Sequence, residues 1–113
     1  MADVFKDGLL HGQHALITGG GSGINRQIAL TYARAGAAVT IVGRSLEKAK
    51  HAAAEIEELG GHAIGLSADV RNYEAMRSAM EQAYSAFGPI DLVVAGAAGN
   101  FVASATGMSS NGF

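Results

Sequence analysis

The residues best suited to chemistry form a glycine-rich run, Thr-Gly-Gly-Gly-Ser-Gly-Ile-Asn, at positions 18–25. An apolar segment precedes it and an amphipathic segment follows it, which predicts a buried strand, a tight turn and the start of a helix. Backbone N–H groups at the start of a helix lack partners within that helix, and the helix dipole adds partial positive charge there. A turn of this kind suits a phosphate group, and glycines let the ligand approach the backbone closely.

The spacing of this run is Thr-Gly-x-x-x-Gly-x-Asn. It differs from the Gly-x-Gly-x-x-Gly dinucleotide fingerprint, and no Gly-Lys-Ser/Thr follows it as in a P-loop. An ordinary glycine-rich turn between a strand and a helix is therefore the alternative interpretation. The residues expected to contact a phosphate are Gly19, Gly21, Ser22, Gly23, Ile24 and Asn25.

The elements that would position this run alternate along the chain. The predicted strands cover residues 14–18, 37–43, 62–67 and 91–95, and the predicted helices cover residues 24–35, 46–59 and 73–87. This β-α-β-α-β-α-β order predicts an α/β fold with a parallel sheet and right-handed crossovers. Ligands of such sheets bind beyond the carboxyl ends of the strands, where the strand order reverses, and the first strand is expected to flank that point.

Further candidate site residues follow the other three predicted strands. They are Arg44 and Ser45, then Asp69 and Val70, and finally Ala95, Gly96 and Ala97. The carboxyl ends of parallel strands meet at one edge of a sheet, so these residues are expected to lie near the glycine-rich run. Four converging strand ends favour a ligand site more strongly than the run alone.

Apolar residues three or four positions apart predict the buried face of each helix. These faces are expected to consist of Ile24, Ile28, Tyr32 and Ala35, of Leu46, Ala49, Ala53, Ile56 and Leu59, and of Tyr73, Met76, Met80, Ala83 and Phe87. The four histidines have no metal-ligand spacing. They are expected at the surface or at strand edges, and no metal site is predicted.

The composition limits the class of protein. A chain of 113 residues with 49% hydrophobic residues corresponds to one domain with a real core. A net charge of −2 gives no sign of a nucleic-acid or membrane surface, and the lack of cysteine excludes disulfides and fits a reducing compartment. The N-terminus has no apolar signal region, and no run approaches the about 18 apolar residues of a membrane span.

Four motifs, taken in order, resemble the short-chain dehydrogenase/reductase family. They are the run at 18–24, Arg44 after the second strand, Ala-Asp-Val at 68–70 and Ile-Asp-Leu-Val-Val at 90–94. The resemblance extends from about residue 11 to the end, and the stretches at 18–25 and 97–101 look most like the branch of 2,4-dienoyl-CoA reductases. It implies the first part of a Rossmann-type doubly wound sheet that binds a nicotinamide cofactor. Family members transfer hydride to a carbonyl group or an activated double bond.

The chain departs from the family pattern at two positions. Asn25 stands where the family usually has glycine, although the peroxisomal dienoyl-CoA reductases are similar in carrying asparagine there. Ala95 stands where the family has an asparagine whose amide helps to brace the sheet. The second change leaves only backbone contacts to support the cofactor beside the fourth strand.

The residues after the second strand predict the cofactor. An acidic residue there would bind the ribose 2′-OH of NAD, whereas Arg44 offers a charge-assisted fork to a 2′-phosphate and Ser45 adds a hydroxyl. We therefore expect NADP(H) rather than NAD(H), with a solvated loop arginine as the alternative. By the resemblance, Asp69 contacts the adenine amino group, unless it only caps a turn. Asn100 and Phe101 are expected on the substrate side, with ordinary loop packing as the alternative.

The family's Tyr-x-x-x-Lys catalytic pair is absent from this sequence. Four residues after Tyr32, Tyr73 and Tyr84 come Gly36, Arg77 and Gly88. Residues 1–113 are therefore interpreted as one incomplete NADP-binding domain with no catalytic residue. The fourth strand is expected to have no further neighbour, residues 109–113 to begin the next helix, and the isolated chain to be unstable as a monomer.

Three interpretations of function stay open. The first is part of an NADPH-dependent reductase that acts on an unsaturated acyl-CoA. The second keeps the fold but replaces the substrate with a ketone, a sugar or a 3-oxoacyl thioester. The third is a catalytically inactive NADP-binding fragment or interaction module. A full-length protein is expected to act on a small molecule, to form a homo-oligomer, and to work in the cytoplasm or, in a eukaryote, in the peroxisome.

Overall fold

The structure is a computed structural model that describes residues 9–19 and 23–95 and, as backbone, residues 101–104. Its elements follow the predicted order with one strand added. They are β1 (His14–Thr18), α1 (Gly23–Arg34), β2 (Ala38–Gly43), α2 (Leu46–Glu58), β3 (His62–Ser67), α3 (Tyr73–Phe87), β4 (Leu92–Ala95) and β5 (Phe101–Ser104). The bounds of the first seven elements agree with the prediction to within one residue.

The strands form one sheet in the order β3-β2-β1-β4-β5. β1 pairs in parallel with both β2 and β4, and β2 pairs in parallel with β3. β1 therefore lies where the strand order reverses, as predicted. The α/β fold with four parallel strands and helices between them is confirmed.

Strand β5 corrects the prediction that the fourth strand has no further neighbour. β5 runs antiparallel to β4, with Phe101 opposite Ala95 and Ser104 opposite Leu92. Only residues 96–100 separate the two strands. A link of that length suffices for an antiparallel return but is too short for a parallel crossover.

Helices cover both faces of the sheet. Since neighbouring residues of a strand point to opposite sides, each of the strands β1 to β4 contributes side chains to both cores. On one face, Ile17 and Ile41 pack in a core with Ala29 of α1 and Ile56 of α2. On the other face, the core consists of Leu16, Val42, Val93 and the α3 residues Met76, Ala79 and Ala83, with Ala68 beside them. This two-sided core is the doubly wound arrangement expected from the sequence.

A glycine sets the close approach of α2 to the edge strand β3. A Cβ atom on Gly65 would lie 2.5 Å from the carbonyl carbon and oxygen of Ala49, so no larger residue fits there without moving the helix. The Ser45 hydroxyl accepts a hydrogen bond from the Lys48 N–H at 3.2 Å and caps the start of α2. Ser45 is therefore the N-cap residue of α2.

Four residues that the periodicity assigned to buried helix faces are exposed. Their exposed fractions are 71% for Ile24, 43% for Leu46, 61% for Leu59 and 56% for Tyr73. All four lie in the first turn of a helix or just past its end. The spacing of apolar residues identifies the buried side of a helix. It does not report that side chains at the ends of a helix are more exposed than those in its middle turns.

The amino end of β1 is closed by a buried histidine, whereas the sequence placed all histidines at the surface or at strand edges. Only 1% of His14 is exposed. Its Nδ1 donates to the Gly88 carbonyl at 3.0 Å, and its Nε2 accepts from the Thr40 hydroxyl at 2.8 Å. The Phe87 ring packs against the imidazole edge to face, and the His14 N–H donates to Asp91 at 2.8 Å. The polar cluster of His14, Thr40, Gly88 and Asp91 ties β1, β2 and the start of β4 together.

Candidate functional site

The carboxyl end of β1 leads into the glycine-rich run. Gly19 has a φ of +71° and Gly23 a φ of +63°, values that favour glycine over any residue with a Cβ. The Gly19 N–H donates to the Val42 carbonyl at 2.7 Å, so the pairing of β1 and β2 continues into the turn. Gly23 begins α1, one residue before the predicted start. Gly21 and Ser22 lie outside the described residues.

Asn25 packs against the backbone of this turn. Its Nδ2 lies 3.4 Å from the Thr18 carbonyl, and a Cβ on Gly19 would come within 3.3 Å of that nitrogen. Its Oδ1 is buried and accepts no hydrogen bond within the described part of the chain. A buried amide oxygen without a donor costs free energy. The oxygen can therefore accept an N–H from the adjacent turn or from a ligand.

A cavity of about 240 Å³ lies beyond the carboxyl ends of the first three strands. Its lining residues are Thr18, Gly19, Val42, Gly43, Arg44, Ala68 and Val70. The structure thus brings Gly19, Arg44 and Val70 together, as the strand-end argument predicted. Gly43 also lines the cavity, as its position at the end of the second strand predicts, whereas Thr18, Val42 and Ala68 line it without having been predicted as site residues.

Two hydrogen bonds hold the ends of β2 and β3 side by side at this cavity. The Ser67 hydroxyl donates to the Arg44 carbonyl at 3.1 Å, and the Ala68 N–H donates to the Gly43 carbonyl at 3.0 Å. These bonds fix the Arg44 backbone and leave its guanidinium group at the surface. Among the described residues that line the cavity, Arg44 is the only charged one.

Asp69 is held by a neighbouring arginine. Its Oδ1 accepts the Arg71 N–H at 2.9 Å and the Arg71 Nε at 3.2 Å, while its Oδ2 accepts the Arg71 Nη2 at 2.9 Å. These hydrogen bonds lower the pKa of Asp69 to about 2, and the positive charges of Arg71 and Arg44 contribute to the same shift. Asp69 is therefore ionised at neutral pH. Arg71 was not among the predicted site residues.

The remaining predicted site residues lie on α1, on β4 and β5, or outside the described part of the chain. Ile24 projects from the first turn of α1 and is largely exposed. Ala95 ends β4 and pairs with Phe101, the first residue of β5. Gly96, Ala97 and Asn100 lie outside the described residues, as does the segment 109–113 that was expected to begin a helix. The structure therefore describes the part of the candidate site at the ends of β1, β2 and β3, and the assignment of Asn100 and Phe101 to the substrate side stays a prediction.

Other kinds of site find little support in the part of the chain that is described. Within residues 9–19 and 23–95, no group of three or more histidine and acidic side chains could hold a metal ion. No described helix has the length and apolar character needed to cross a membrane. Tyr32 lies on α1, and Tyr73 and Tyr84 lie on α3, as predicted.

The sequence is similar to known oxidoreductases along its whole length. It matches the family model of short chain dehydrogenases over residues 13–112. Over 113 residues it is 43% identical to a peroxisomal 2,4-dienoyl-CoA reductase, described as (3E)-enoyl-CoA-producing, from Arabidopsis thaliana. Over 90 residues, or 80% of this chain, it is 37% identical to a 7alpha-hydroxysteroid dehydrogenase from Escherichia coli K12. The chain spans 38% of the first relative and 35% of the second.

Solved structures show the same arrangement of strands and helices. A hydroxysteroid dehydrogenase from Escherichia coli superposes with a TM-score of 0.75 at 36% identity, over 80% of this chain and 38% of the other. A citronellol catabolism dehydrogenase from Pseudomonas aeruginosa PAO1 superposes with a TM-score of 0.74 at 32% identity, over 96% of this chain and 44% of the other.

Proposed function

The chain belongs to the short-chain dehydrogenase family, and we propose that it is the cofactor-binding part of an NADPH-dependent oxidoreductase. Members of this family bind a nicotinamide cofactor. The observation that carries the proposal is the cavity at the carboxyl edge of the sheet, where Arg44 stands at the end of β2 and no carboxylate is among the described residues that line the wall. An arginine fork attracts a 2′-phosphate, whereas a carboxylate would have favoured an unmodified ribose.

The described residues fit such a cofactor. Gly19 and Gly23 keep the backbone of the turn open to a phosphate, and the start of α1 adds the partial positive charge of the helix dipole. The cavity walls at Ala68 and Val70 offer apolar surface to an adenine ring, and Asp69 lies between them. When bound, NADPH supplies a hydride to the substrate. The residues of this chain hold and orient the adenosine end of the cofactor.

The cofactor preference is tested by titrating the full-length protein with NADPH and NADH. We expect NADPH to bind more tightly, and Arg44→Asp to weaken NADPH binding by roughly 10–100-fold, since one favourable charge contact is replaced by repulsion. Arg77→Asp is the matched control, because Arg77 is exposed on α3 and pairs with Glu81 of the same helix. Unchanged or tighter NADPH binding by Arg44→Asp would overturn the assignment.

For the substrate, we propose an unsaturated acyl-CoA. The proposal rests on the relatives named 2,4-dienoyl-CoA reductases and on the Asn100-Phe101 pair that this chain shares with that branch by resemblance. A ketone, a sugar or a 3-oxoacyl thioester is the alternative, and the similarity to a hydroxysteroid dehydrogenase favours testing carbonyl substrates beside the dienoyl-CoA. NADPH oxidation by the full-length protein decides between them. Faster turnover of the carbonyl substrates would overturn the dienoyl-CoA proposal.

An inactive NADP-binding module is the second candidate function. It is supported by the cavity with Arg44, which bears on nucleotide binding and not on turnover. NADPH binding without turnover of any tested substrate by the full-length protein would support this candidate. We further propose that the full-length protein forms a homo-oligomer and works in the cytoplasm, with the peroxisome as the alternative suggested by the relatives' names.

A further inference from the structure

The ion pair of Asp69 and Arg71 lies in the turn between β3 and α3, next to residues that line the cavity. Asp69 stands between Ala68 and Val70, both of which line the cavity wall. Its carboxylate receives three hydrogen bonds from Arg71, one from the backbone and two from the guanidinium group. The Asp69 carbonyl also accepts the Asn72 N–H at 2.9 Å, so the turn that carries the pair is fixed just before α3 begins.

This pair lies within electrostatic reach of Arg44. The bonds from Ser67 to Arg44 and from Ala68 to Gly43 hold the two strand ends together. The charge of Arg44 also helps to lower the pKa of Asp69, so the two side chains interact electrostatically. By itself, the Asp69 carboxylate would repel the phosphate that Arg44 attracts. With Arg71 in place, the three side chains carry a net charge of +1, and without it their charges would cancel.

We propose that Arg71 determines the preference for a 2′-phosphate by neutralising Asp69 and that its fork positions the Asp69 carboxylate at the adenine side of the cavity. The inference rests on the proposed function. Arg71 is a positioning residue, because it acts through Asp69. The preference for NADP over NAD then depends on two arginines, one at each of two neighbouring strand ends.

The experiment measures the affinity of the full-length protein for NADP⁺ and NAD⁺ and compares the ratio of the two. Arg71→Gln removes the charge and the fork, whereas Arg71→Lys keeps the charge and removes the fork. Arg77→Gln is the matched control, since it deletes an exposed arginine that pairs with an acidic residue of the same helix. Asp69→Asn combined with Arg71→Gln restores the net charge of the site without the ion pair.

Arg71→Gln should lower the preference for NADP⁺ by roughly 3–10-fold, the size expected for one partly screened charge near the surface. Arg71→Lys should keep the preference while weakening both nucleotides, and the double variant should recover the preference. An unchanged preference in Arg71→Gln, or no recovery in the double variant, would refute the role of Arg71 and leave the proposed function intact. If the unmodified protein binds neither nucleotide, the proposed function fails and this inference fails with it.

Discussion

The two ends of strand β1 differ in how completely their polar groups are paired. At the amino end, the ring of His14 is buried and both its nitrogens are hydrogen-bonded, to Gly88 and to Thr40. At the carboxyl end, two glycines adopt positive φ, and the buried oxygen of Asn25 has no donor among the described residues. The same strand therefore ends in a closed polar cluster on one side and in an open turn on the other.

This contrast separates stability from binding. Fully paired buried groups stabilise the folded protein, because removing one partner leaves another group buried without a hydrogen bond. An open edge with glycines and an exposed arginine contributes little to folding but leaves room and charge for a ligand. Changes at the amino end should therefore affect unfolding, and changes at the carboxyl end should affect nucleotide binding.

The largest effect is expected at the amino end. His14→Ala removes a buried ring and leaves the Thr40 hydroxyl and the Gly88 carbonyl without their partner, which should lower the free energy of unfolding by about 3 kcal/mol. Urea unfolding of the full-length protein measures the change. His51→Ala is the control, because the side chain of His51 is 75% exposed. A loss below about 1 kcal/mol would show that the cluster is not a main source of stability.

A smaller effect, on binding alone, is expected at the carboxyl end. A Cβ atom on Gly43 would meet nothing within 4 Å, although this residue lines the cavity. Gly43→Ala should therefore change the free energy of unfolding by less than about 0.5 kcal/mol, as for other substitutions without steric conflict. Its methyl group should weaken NADPH binding by roughly 3–10-fold by taking space from the ligand. Unaltered binding would show that the ligand does not occupy this part of the cavity.

The smallest effect concerns the pH dependence of stability. Burial is the largest cause of the lowered pKa of His14, although the Gly88 and Pro89 carbonyls and Asp91 oppose it. The unfolded chain therefore binds a proton at His14 more readily than the folded protein does. The free energy of unfolding should fall as the pH drops below 6.5, the ordinary pKa of histidine. Urea midpoints between pH 8 and pH 5 test this. His14→Leu should have a flatter profile, and an equally steep one would contradict the assignment.

The sequence predicted most of the fold because local signals agreed with one another. Apolar strands and glycine stops marked the elements, and the strand-end rule brought Gly19, Arg44 and Val70 to one cavity. The burial of His14 was not predicted, because its hydrogen-bond partners, Thr40 and Gly88, lie 26 and 74 residues away in the sequence. Strand β5 was not predicted, because it forms by pairing with β4 and the hydrophobic periodicity of a segment does not report its partner strand.

The most direct test is whether the amino end of β1 serves stability and its carboxyl end serves nucleotide binding. Hydrogen–deuterium exchange of the full-length protein with and without NADP⁺ measures this. We expect slower exchange on binding in peptides that cover residues 17–25, 43–45 and 67–71, at the carboxyl edge. We expect no change in peptides that cover residues 87–91, beside His14. Protection at the amino edge, or none at the carboxyl edge when NADP⁺ is saturating, would contradict the account.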